Sequence, residues 1–327
     1  MEDTVWSHPQ PPGTERPASS LSEHHDAVLS PFHVRRGSDS RDATRYMYGA
    51  VYDGGHLVAS SVRNGGHRGD FVRSDDPPRL ESGHVTERLH GRWLYGGHWM
   101  GHFGHFISET LTTMWPSDQR VEGVVFHRFL SPNVVEDWQL RLLAAARWEV
   151  PVIVRTAGCT VDQLVVPTRP LVLNVAAEGR AVDVWRRVAG SAAPSASRRV
   201  YLSRARLESG ARSLRGDVEM DTEMRRLGFD VVHPEGLDVL EQVSIASQAE
   251  VLVGLSGSAL HLSAFAPPST RVIEIGDPRT PDAPLPNQSV IDAAVGRRSA
   301  FIPLLSQDAA RDVRATMARV ELLLEEV

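Results

Sequence analysis

The stretch from Val231 to Ile275 constrains the fold more than any other part of the 327-residue chain. Short apolar runs alternate there with helical patterns, and Asp238 is a predicted helix N-cap. The continuous apolar run Glu250–Val253 is typical of a strand buried on both faces of a parallel sheet. Small residues, Gly254–Ser258, then lead into a predicted helix, Ala259–Phe265. This pattern predicts an α/β unit with a ligand-binding turn at the carboxyl end of a strand, where open sheets bind phosphorylated ligands.

The composition excludes several chemistries. All 35 basic residues are arginine, so a pyridoxal Schiff base, a P-loop lysine and a lipoyl or biotinyl attachment site are excluded. The turn also matches neither GxGxxG nor a Walker A loop. Arginine remains as a cation whose planar fork fits phosphate oxygens. A net charge of -6 argues against general nucleic-acid binding, so we expect phosphate contacts to be local.

The cysteine count and the hydropathy pattern favour a cytoplasmic protein. Cys159 is the single cysteine, so no intramolecular disulfide can form. No apolar run approaches the roughly 20 residues of a membrane span. The first thirty residues are rich in proline, serine and histidine and lack the apolar segment of a signal peptide.

The pattern of elements predicts two domains between two flanking segments. Residues 1–40 have the composition of a flexible tail, and 41–190 form a first α/β domain that ends in a small-residue linker. Residues 191–306 form the second domain, which contains the stretch described above. An amphipathic helix over 307–327 completes the chain.

A histidine-rich segment, His98 to Glu109, carries the strongest candidate for acid–base chemistry. A helix predicted from about Gly104 to Trp115 places His105 and Glu109 four residues apart on one face. A carboxylate paired with an imidazole is a usable general base for deprotonating a hydroxyl group. Two other interpretations stay open: a metal site formed by histidines 98, 102 and 105, or histidines that serve only packing.

Arginines follow the first strand of the second domain. In Tyr201-Leu-Ser-Arg204 a guanidinium follows an apolar strand and so lies at the carboxyl edge of the sheet. There Arg204 could clamp a diphosphate, whereas Arg206 and Arg215 are more typical of solvated positions. Glu274 ends the last apolar run of the stretch, Arg271–Ile275, and could be either a ligand contact or a solvated strand end.

Several of these motifs in sequence order resemble family 61 glycosyltransferases, which in bacteria include capsular polysaccharide biosynthesis proteins. The matching segments are Gly104-His-Phe-Ile-Ser-Glu-Thr-Leu111, Tyr201-Leu-Ser-Arg204, Pro234-Glu-Gly-Leu237, Glu241-Gln-Val243, Ser256-Gly-Ser-Ala-Leu260, Phe265-Ala-Pro-Pro268 and Arg271-Val-Ile-Glu-Ile275. The resemblance implies a GT-B-like α/β fold, with two Rossmann-like domains facing across a cleft. It further implies a final helix that crosses back to the first domain.

The resemblance also implies roles for individual residues. Glu109, or His105, becomes the catalytic base on the acceptor side. Arg204, Arg212 and the turn Ser256-Gly257-Ser258 become the site for the nucleotide diphosphate, and Glu274 becomes a ribose ligand. The family usually has histidine where this chain has Ser256, which can hydrogen-bond a phosphate oxygen but supplies no cation.

The sequence therefore predicts a glycosyltransferase of the hexosyl or pentosyl class, inverting and metal-independent, in polysaccharide or natural-product biosynthesis. Its partners would be a nucleotide-diphosphate sugar as donor substrate and a small-molecule or glycan acceptor. No further cofactor, nucleic acid or membrane span is predicted, and the oligomeric state stays open, a homodimer included. Two alternatives remain: a diverged protein of the same fold that binds a nucleotide or couples non-sugar groups, and a metal-dependent hydrolase built on the histidines.

Overall fold

A computed structural model describes residues 6–7, 18–36, 45–63, 71–73, 85–129, 134–190, 198–207, 215–307 and 310–326. The chain divides into two compact units, Gly13–Val184 and Trp185–Val327, the latter joined by Met1–Pro12. The division falls within a helix shortly before the predicted boundary at residue 190. Arg212 and the predicted linker, residues 190–197, lie outside the described residues, except for Gly190.

The first unit is built on a mixed sheet. Its strands are β1 (Leu21–Leu29), β2 (His33–Arg36), β3 (Arg45–Tyr48), β4 (Val51–Asp53), β5 (His56–Leu57), β6 (Phe71–Arg73), β7 (Val85–Met100), β8 (Gly123–Phe129), β9 (Val152–Arg155), β10 (Gly158–Pro167), β11 (Leu171–Val172) and β12 (Ala176–Ala177). Seven strands form the main sheet in the order β5-β4-β1-β10-β7-β8-β9. Strands β10, β7, β8 and β9 are parallel, whereas β1 is antiparallel to both of its neighbours, β10 and β4. This unit therefore departs from the all-parallel sheet of a Rossmann-like domain.

Strand β1 corrects the prediction of a flexible tail over residues 1–40. It pairs with β10 from Leu21 opposite Pro167 to Leu29 opposite Cys159, and both Ala27 and Leu29 are fully buried. The polar composition of this region did not indicate a strand, because the first residues of β1 alternate between exposed and partly buried positions. Composition reports solvent exposure, and one face of this strand is exposed.

Each unit also contains helices. The first unit has a helical segment over 103–114 that begins with α1 (Phe103–His105), followed by α2 (Asp137–Ala145), and α3 (Gly179–Ala189) spans the division between the units. The second unit has α4 (Asp217–Arg226), α5 (Val239–Ser247), α6 (Pro286–Val295) and α7 (Val313–Glu325). Asp238 caps α5 as predicted, because its side chain accepts a hydrogen bond from the Leu240 N–H. No helix of the described residues is long and apolar enough for a membrane span.

The second unit contains a five-stranded sheet that is parallel throughout. Its strands are β13 (Arg198–Leu202), β14 (Asp230–Val232), β15 (Ala249–Leu255), β16 (Arg271–Ile275) and β17 (Ser299–Ile302), and a small hairpin follows with β18 (Ser306–Gln307) and β19 (Ala310–Arg311). The spatial order is β14-β13-β15-β16-β17. The direction of winding therefore reverses between β13 and β15. In sheets of this type, ligands bind at that switch point, beyond the carboxyl ends of the strands.

The last helix packs on the core of its own unit. Val313, Met317, Val320 and Leu323 of α7 are buried in one cluster with Tyr201, the strands β15 to β17 and α4. The helix thus covers the sheet that precedes it in the chain. The family resemblance implied a crossing to the first domain, and in this respect the prediction is wrong, because the apolar face of α7 is used within the second unit.

Candidate functional site

The segment that carries His105 and Glu109 is helical but irregular. It begins as the α-helical turn Phe103–His105, continues as a π-helix over Phe106–Thr110 and ends as a 3-10 helix over Leu111–Met114. The Leu111 N–H donates to the Phe106 carbonyl, five residues back. Such π-segments occur frequently at functional sites because they redirect side chains within a helix.

Glu109 lies at the centre of an ion-pair network in the first unit. Its carboxylate is 4% exposed and accepts two hydrogen bonds from Arg63, Nε to Oε2 at 2.6 Å and Nη2 to Oε1 at 2.8 Å. His105 Nδ1 lies 2.7 Å from Oε1, which confirms the predicted contact four residues apart. Burial alone would raise the pKa of Glu109, but the Arg63 charge and these hydrogen bonds lower it to about 2.

The two members of the pair differ in access to a substrate. The His105 side chain is 43% exposed, whereas that of Glu109 is 3% exposed. A carboxylate accepting at Nδ1 favours the tautomer with a proton on Nδ1 and a lone pair on Nε2. Within the described residues, His105 Nε2 makes no hydrogen bond. The imidazole therefore offers the proton acceptor, and Glu109 orients it.

Two further histidines, His98 and His127, lie on the neighbouring strands β7 and β8. His98 Nδ1 accepts a hydrogen bond from Arg169 Nη2 at 2.6 Å. His127 Nε2 donates to the Ser30 carbonyl at 2.8 Å, and its Nδ1 lies 2.7 Å from the Tyr95 hydroxyl. Burial lowers the pKa of His127 to about 4 and that of His98 well below its usual value. Both imidazoles are therefore neutral, and His98 and His105 are engaged by different partners.

The described residues do not form the alternative metal site on histidines 98, 102 and 105. Over the part of the chain that the structure describes, no three histidine, cysteine or carboxylate side chains are grouped as metal ligands would be. His102 and His105 contact each other edge to face, with ring centroids 5.5 Å apart.

The carboxyl edge of the second unit brings together the predicted residues Arg204 and Gly257. Arg204 follows β13, and its Nη2 donates to the Leu255 carbonyl at 3.2 Å and also to the Ser256 carbonyl. Gly257 follows β15 with a φ of +141°, and a Cβ there would lie 2.2 Å from Arg204 Nη2. Glycine is favoured at this position because L side chains rarely adopt this φ and because the guanidinium occupies the space of a side chain.

The turn after β15 presents backbone donors at the switch point. Among the described residues, the N–H groups of Gly257, Ser258 and Ala259 have no hydrogen-bond acceptor, although the next one, of Leu260, donates to the Gly257 carbonyl. Successive free N–H groups in a turn form a concave anion site. Ser258 is partly exposed there, and the helix predicted over Ala259–Phe265 is a 3-10 helix over Leu260–Phe265.

Ser256 and Glu274 face each other inside the unit. Ser256 is fully buried, and its hydroxyl donates to Glu274 Oε1 at 2.7 Å, while its N–H donates to the Ile275 carbonyl. The Leu285 N–H also donates to Glu274 Oε1, at 3.0 Å. Burial raises the pKa of Glu274 to about 8, against the opposing effect of both hydrogen bonds. Glu274 therefore connects Ser256 in the turn to Leu285 at the start of α6.

Sequence reasoning missed Asp277 and Arg279, which complete this edge after β16. Asp277 is fully buried and accepts from the Arg279 N–H at 2.9 Å, from Arg279 Nη2 at 3.3 Å and from Arg204 Nη1 at 3.4 Å. Burial opposes its ionisation, but these donors lower the pKa of Asp277. Arg279 Nη2 lies 3.7 Å from the position of a Cβ on Gly257. The signal was present, since an Asp-Pro-Arg sequence follows a buried strand and must lie at its carboxyl end.

Sequence reasoning also missed Arg63, for which no local signal exists. It is one of 35 arginines and lies between two glycine pairs outside any regular strand. Only tertiary structure shows that it is buried against Glu109.

Comparison with known proteins places these residues in a family. A family model described as Glycosyltransferase 61 matches residues 103–273, just over half of the chain. The matched range includes His105, Glu109, Arg204 and the turn at Gly257, and it ends directly before Glu274. No curated protein matches the chain. The chain is a member of glycosyltransferase family 61, and this membership supports a glycosyltransferase function.

Proposed function

We propose that this protein transfers a hexosyl or pentosyl group from a nucleotide-diphosphate sugar to an acceptor hydroxyl, with inversion and without a metal ion. The observation that carries the donor half of the proposal is the set of free backbone N–H groups at Gly257, Ser258 and Ala259, beside the Arg204 guanidinium. The proposal includes the two-domain GT-B arrangement and a role in polysaccharide or natural-product biosynthesis in the bacterial cytoplasm.

On the donor side, the leaving diphosphate would accept hydrogen bonds from this turn. Arg204 and Arg279 supply positive charge next to Gly257, and Asp277 fixes both guanidinium groups. Preorganised positive charge at a developing diphosphate lowers the barrier, because it is already in place when the bond to the anomeric carbon breaks. The second unit has no lysine for this task, so arginine and backbone donors are the available partners. Glu274 and Ser256 position the turn from within.

On the acceptor side, His105 would take the proton of the attacking hydroxyl at Nε2. The oxygen then bonds to the anomeric carbon as the carbon–oxygen bond to the diphosphate breaks. Glu109 holds the imidazole in the required tautomer and stabilises the imidazolium that forms. Its own low pKa makes it a weak proton acceptor, so we assign the base role to His105 and the positioning role to Glu109.

Nucleotide binding tests the donor half. Thermal unfolding would be measured with UDP, GDP, CDP, ADP and TDP, each with and without EDTA. A ligand at 100 times its Kd stabilises the native state by about 2.7 kcal/mol. We expect one nucleotide to stabilise the protein regardless of EDTA, and Arg204→Gln to abolish that shift. Arg226→Gln, on the exposed surface of α4, is the control and should bind normally. A shift that survives in Arg204→Gln would remove the donor assignment.

Turnover tests the base. His105→Ala should lower kcat by about 10²- to 10⁴-fold while leaving the nucleotide-induced shift unchanged. Added imidazole should restore part of the activity of this variant, because the cavity lies beside the Glu109 carboxylate. A His105→Ala enzyme with normal turnover would overturn the base assignment.

A second candidate function is nucleotide binding without transfer. The observation that favours it is Ser256, which replaces the family histidine and directs its hydroxyl to Glu274. The turn therefore lacks the cation that the resemblance implies. Nucleotide binding that depends on Arg204, together with an absence of sugar transfer or donor hydrolysis, would support this candidate over the first.

A further inference from the structure

Arg169 stands out because its hydrogen-bond partners carry no charge. It follows the carboxyl end of β10, next to β7, and is partly exposed. Its Nη2 donates to His98 Nδ1, the guanidinium also interacts with the Tyr95 hydroxyl, and its buried Nε has no hydrogen-bond partner in the described chain. Arg63 and Arg204, which are more deeply buried, each have a carboxylate partner.

The groups around Arg169 cannot acquire the missing negative charge. Burial raises the pKa of Tyr95 far above its usual value, so the phenol stays protonated. The imidazoles of both neighbouring histidines are neutral, and neither becomes anionic in proteins. Glu109 lies within electrostatic reach of Arg169, but both of its oxygens are taken by Arg63 and one also by His105. The two guanidinium groups of Arg63 and Arg169 thus share the single negative charge of Glu109, and one positive charge remains uncompensated.

A guanidinium in such surroundings needs a counter-ion. Removing a cation from water without an anionic partner is unfavourable, and burial here lowers the pKa of Arg169. The chain nevertheless makes room for it: Gly97 has a φ of +82°, and a Cβ there would lie 3.1 Å from Arg169 Nη2. His98 further orients the fork by accepting from Nη2, and the N–H donors that neither His98 nor Tyr95 takes remain for a ligand.

We propose that Arg169 binds an anionic group, a carboxylate or a phosphate, of the acceptor substrate. The identification of this ligand as the acceptor rests on the proposed function, since Arg169 lies in the unit that carries His105. Its position at the carboxyl edge of the same parallel strands is where such sheets bind ligands. The substrate class is therefore an acidic acceptor, such as a uronic acid or a phosphorylated sugar.

Binding measurements on the full chain test this inference. Titration calorimetry at low ionic strength would use sodium glucuronate, inorganic phosphate and neutral glucose, and the nucleotide that stabilises the protein would be titrated alongside. We expect one of the two anions to bind better than glucose. Arg169→Gln should weaken that binding about 10- to 100-fold, and Arg169→Lys, which retains the charge, should weaken it less. Arg92→Gln, which changes an arginine already paired with Glu23, is the control and should bind normally.

The outcomes separate this inference from the proposed function. Equal anion binding by the wild type and Arg169→Gln, or a wild type that binds neither anion better than glucose, would overturn it. If Arg169→Gln instead loses only nucleotide affinity, the ligand is the donor and the acceptor assignment is wrong. If anion binding depends on Arg169 but no nucleotide binds, this site stands and the donor half of the proposed function fails.

Discussion

Two buried glutamates, one in each unit, show how partners decide the charge of a carboxyl group. Glu109 is 4% exposed and Glu274 is 2% exposed, so desolvation acts on both in the same direction. Yet the pKa of Glu109 is lowered to about 2 and that of Glu274 is raised to about 8. Arg63 reverses the effect of burial at Glu109, whereas the neutral donors of Ser256 and Leu285 do not reverse it at Glu274.

The difference separates a charged site from a site that holds its proton near neutral pH. Glu109 is an anion at all physiological pH values and can stabilise an imidazolium on His105. Glu274 is largely protonated at neutral pH and behaves as a hydrogen-bonding element of the turn. A ribose contact by Glu274 stays a prediction, and its buried position makes structural support of Ser256 the role that we favour.

The largest effect is expected from breaking the charged pair with Arg63→Gln. Removing one partner of a buried ion pair leaves an uncompensated charge, which destabilises a protein by about 3–5 kcal/mol. Because the folded pKa of Glu109 lies below the unfolded value of 4.5, the pair stabilises the protein above that pH. This contribution is lost as the pH falls towards about 2. Urea unfolding at several pH values should show that the variant lacks this acid-side loss.

The matched control for that experiment is Arg92→Gln. Arg92 forms a similar two-point contact with Glu23, but the side chains are 28% and 42% exposed. Exposed pairs contribute about 0–1 kcal/mol. Equal losses in Arg63→Gln and Arg92→Gln would contradict the distinction between buried and exposed pairs on which the comparison depends.

The opposite pH dependence is expected from Glu274→Gln. The folded pKa of Glu274 lies above its usual value of 4.5, so the folded state binds the proton more tightly than the unfolded state. The wild type should therefore lose stability as the pH rises from about 4.5 to about 8, by an amount on the order of a few kcal/mol. The neutral amide has no such dependence. The difference between the two unfolding curves over this range measures the effect, and a constant difference would show that Glu274 is ionised in the folded protein.

The parts of this molecule that local sequence patterns specify were predictable. Strands β13, β15 and β16 each contain a short apolar run, Asp238 is a cap, and the contact of His105 with Glu109 follows from their spacing. Strand β1 was missed because its pairing with β10 joins segments more than a hundred residues apart and its own residues are half polar.

The charge states of the site were not predictable for a related reason. The low pKa of Glu109 depends on Arg63, 46 residues earlier in the chain, and no spacing rule connects the two. The raised pKa of Glu274 depends on burial and on neutral partners that come from two other segments. The direction in which α7 packs likewise depends on the surface that is available, which the amphipathic pattern of the helix does not specify.

A smaller effect is expected from Gly257→Ala, which disturbs Arg204 in the unit that contains Glu274. A methyl group at this φ of +141° would be strained and would meet Arg204 Nη2 at 2.2 Å. We expect a loss of about 1–3 kcal/mol and a weaker nucleotide-induced shift, because the guanidinium must move. Gly228→Ala is the control, since its φ is +78° but nothing lies within 4 Å. If both variants lose the same stability, the close approach of Arg204 contributes nothing.

The smallest change in stability is expected from Ser258→Ala, and it is informative for that reason. In the described chain the Ser258 hydroxyl makes no hydrogen bond, unlike the Ser256 hydroxyl two residues earlier, which is bound to Glu274. Its removal should alter the free energy of unfolding by less than about 0.5 kcal/mol. If the turn binds a diphosphate, one neutral hydrogen bond is lost and nucleotide affinity should fall about fivefold. Ser269→Ala, at the amino edge of the same sheet, should change neither quantity. Nucleotide affinity that is equal in Ser258→Ala and Ser269→Ala would mean that the free hydroxyl does not contact the ligand, and the anion site would then consist of the backbone donors and the arginines alone.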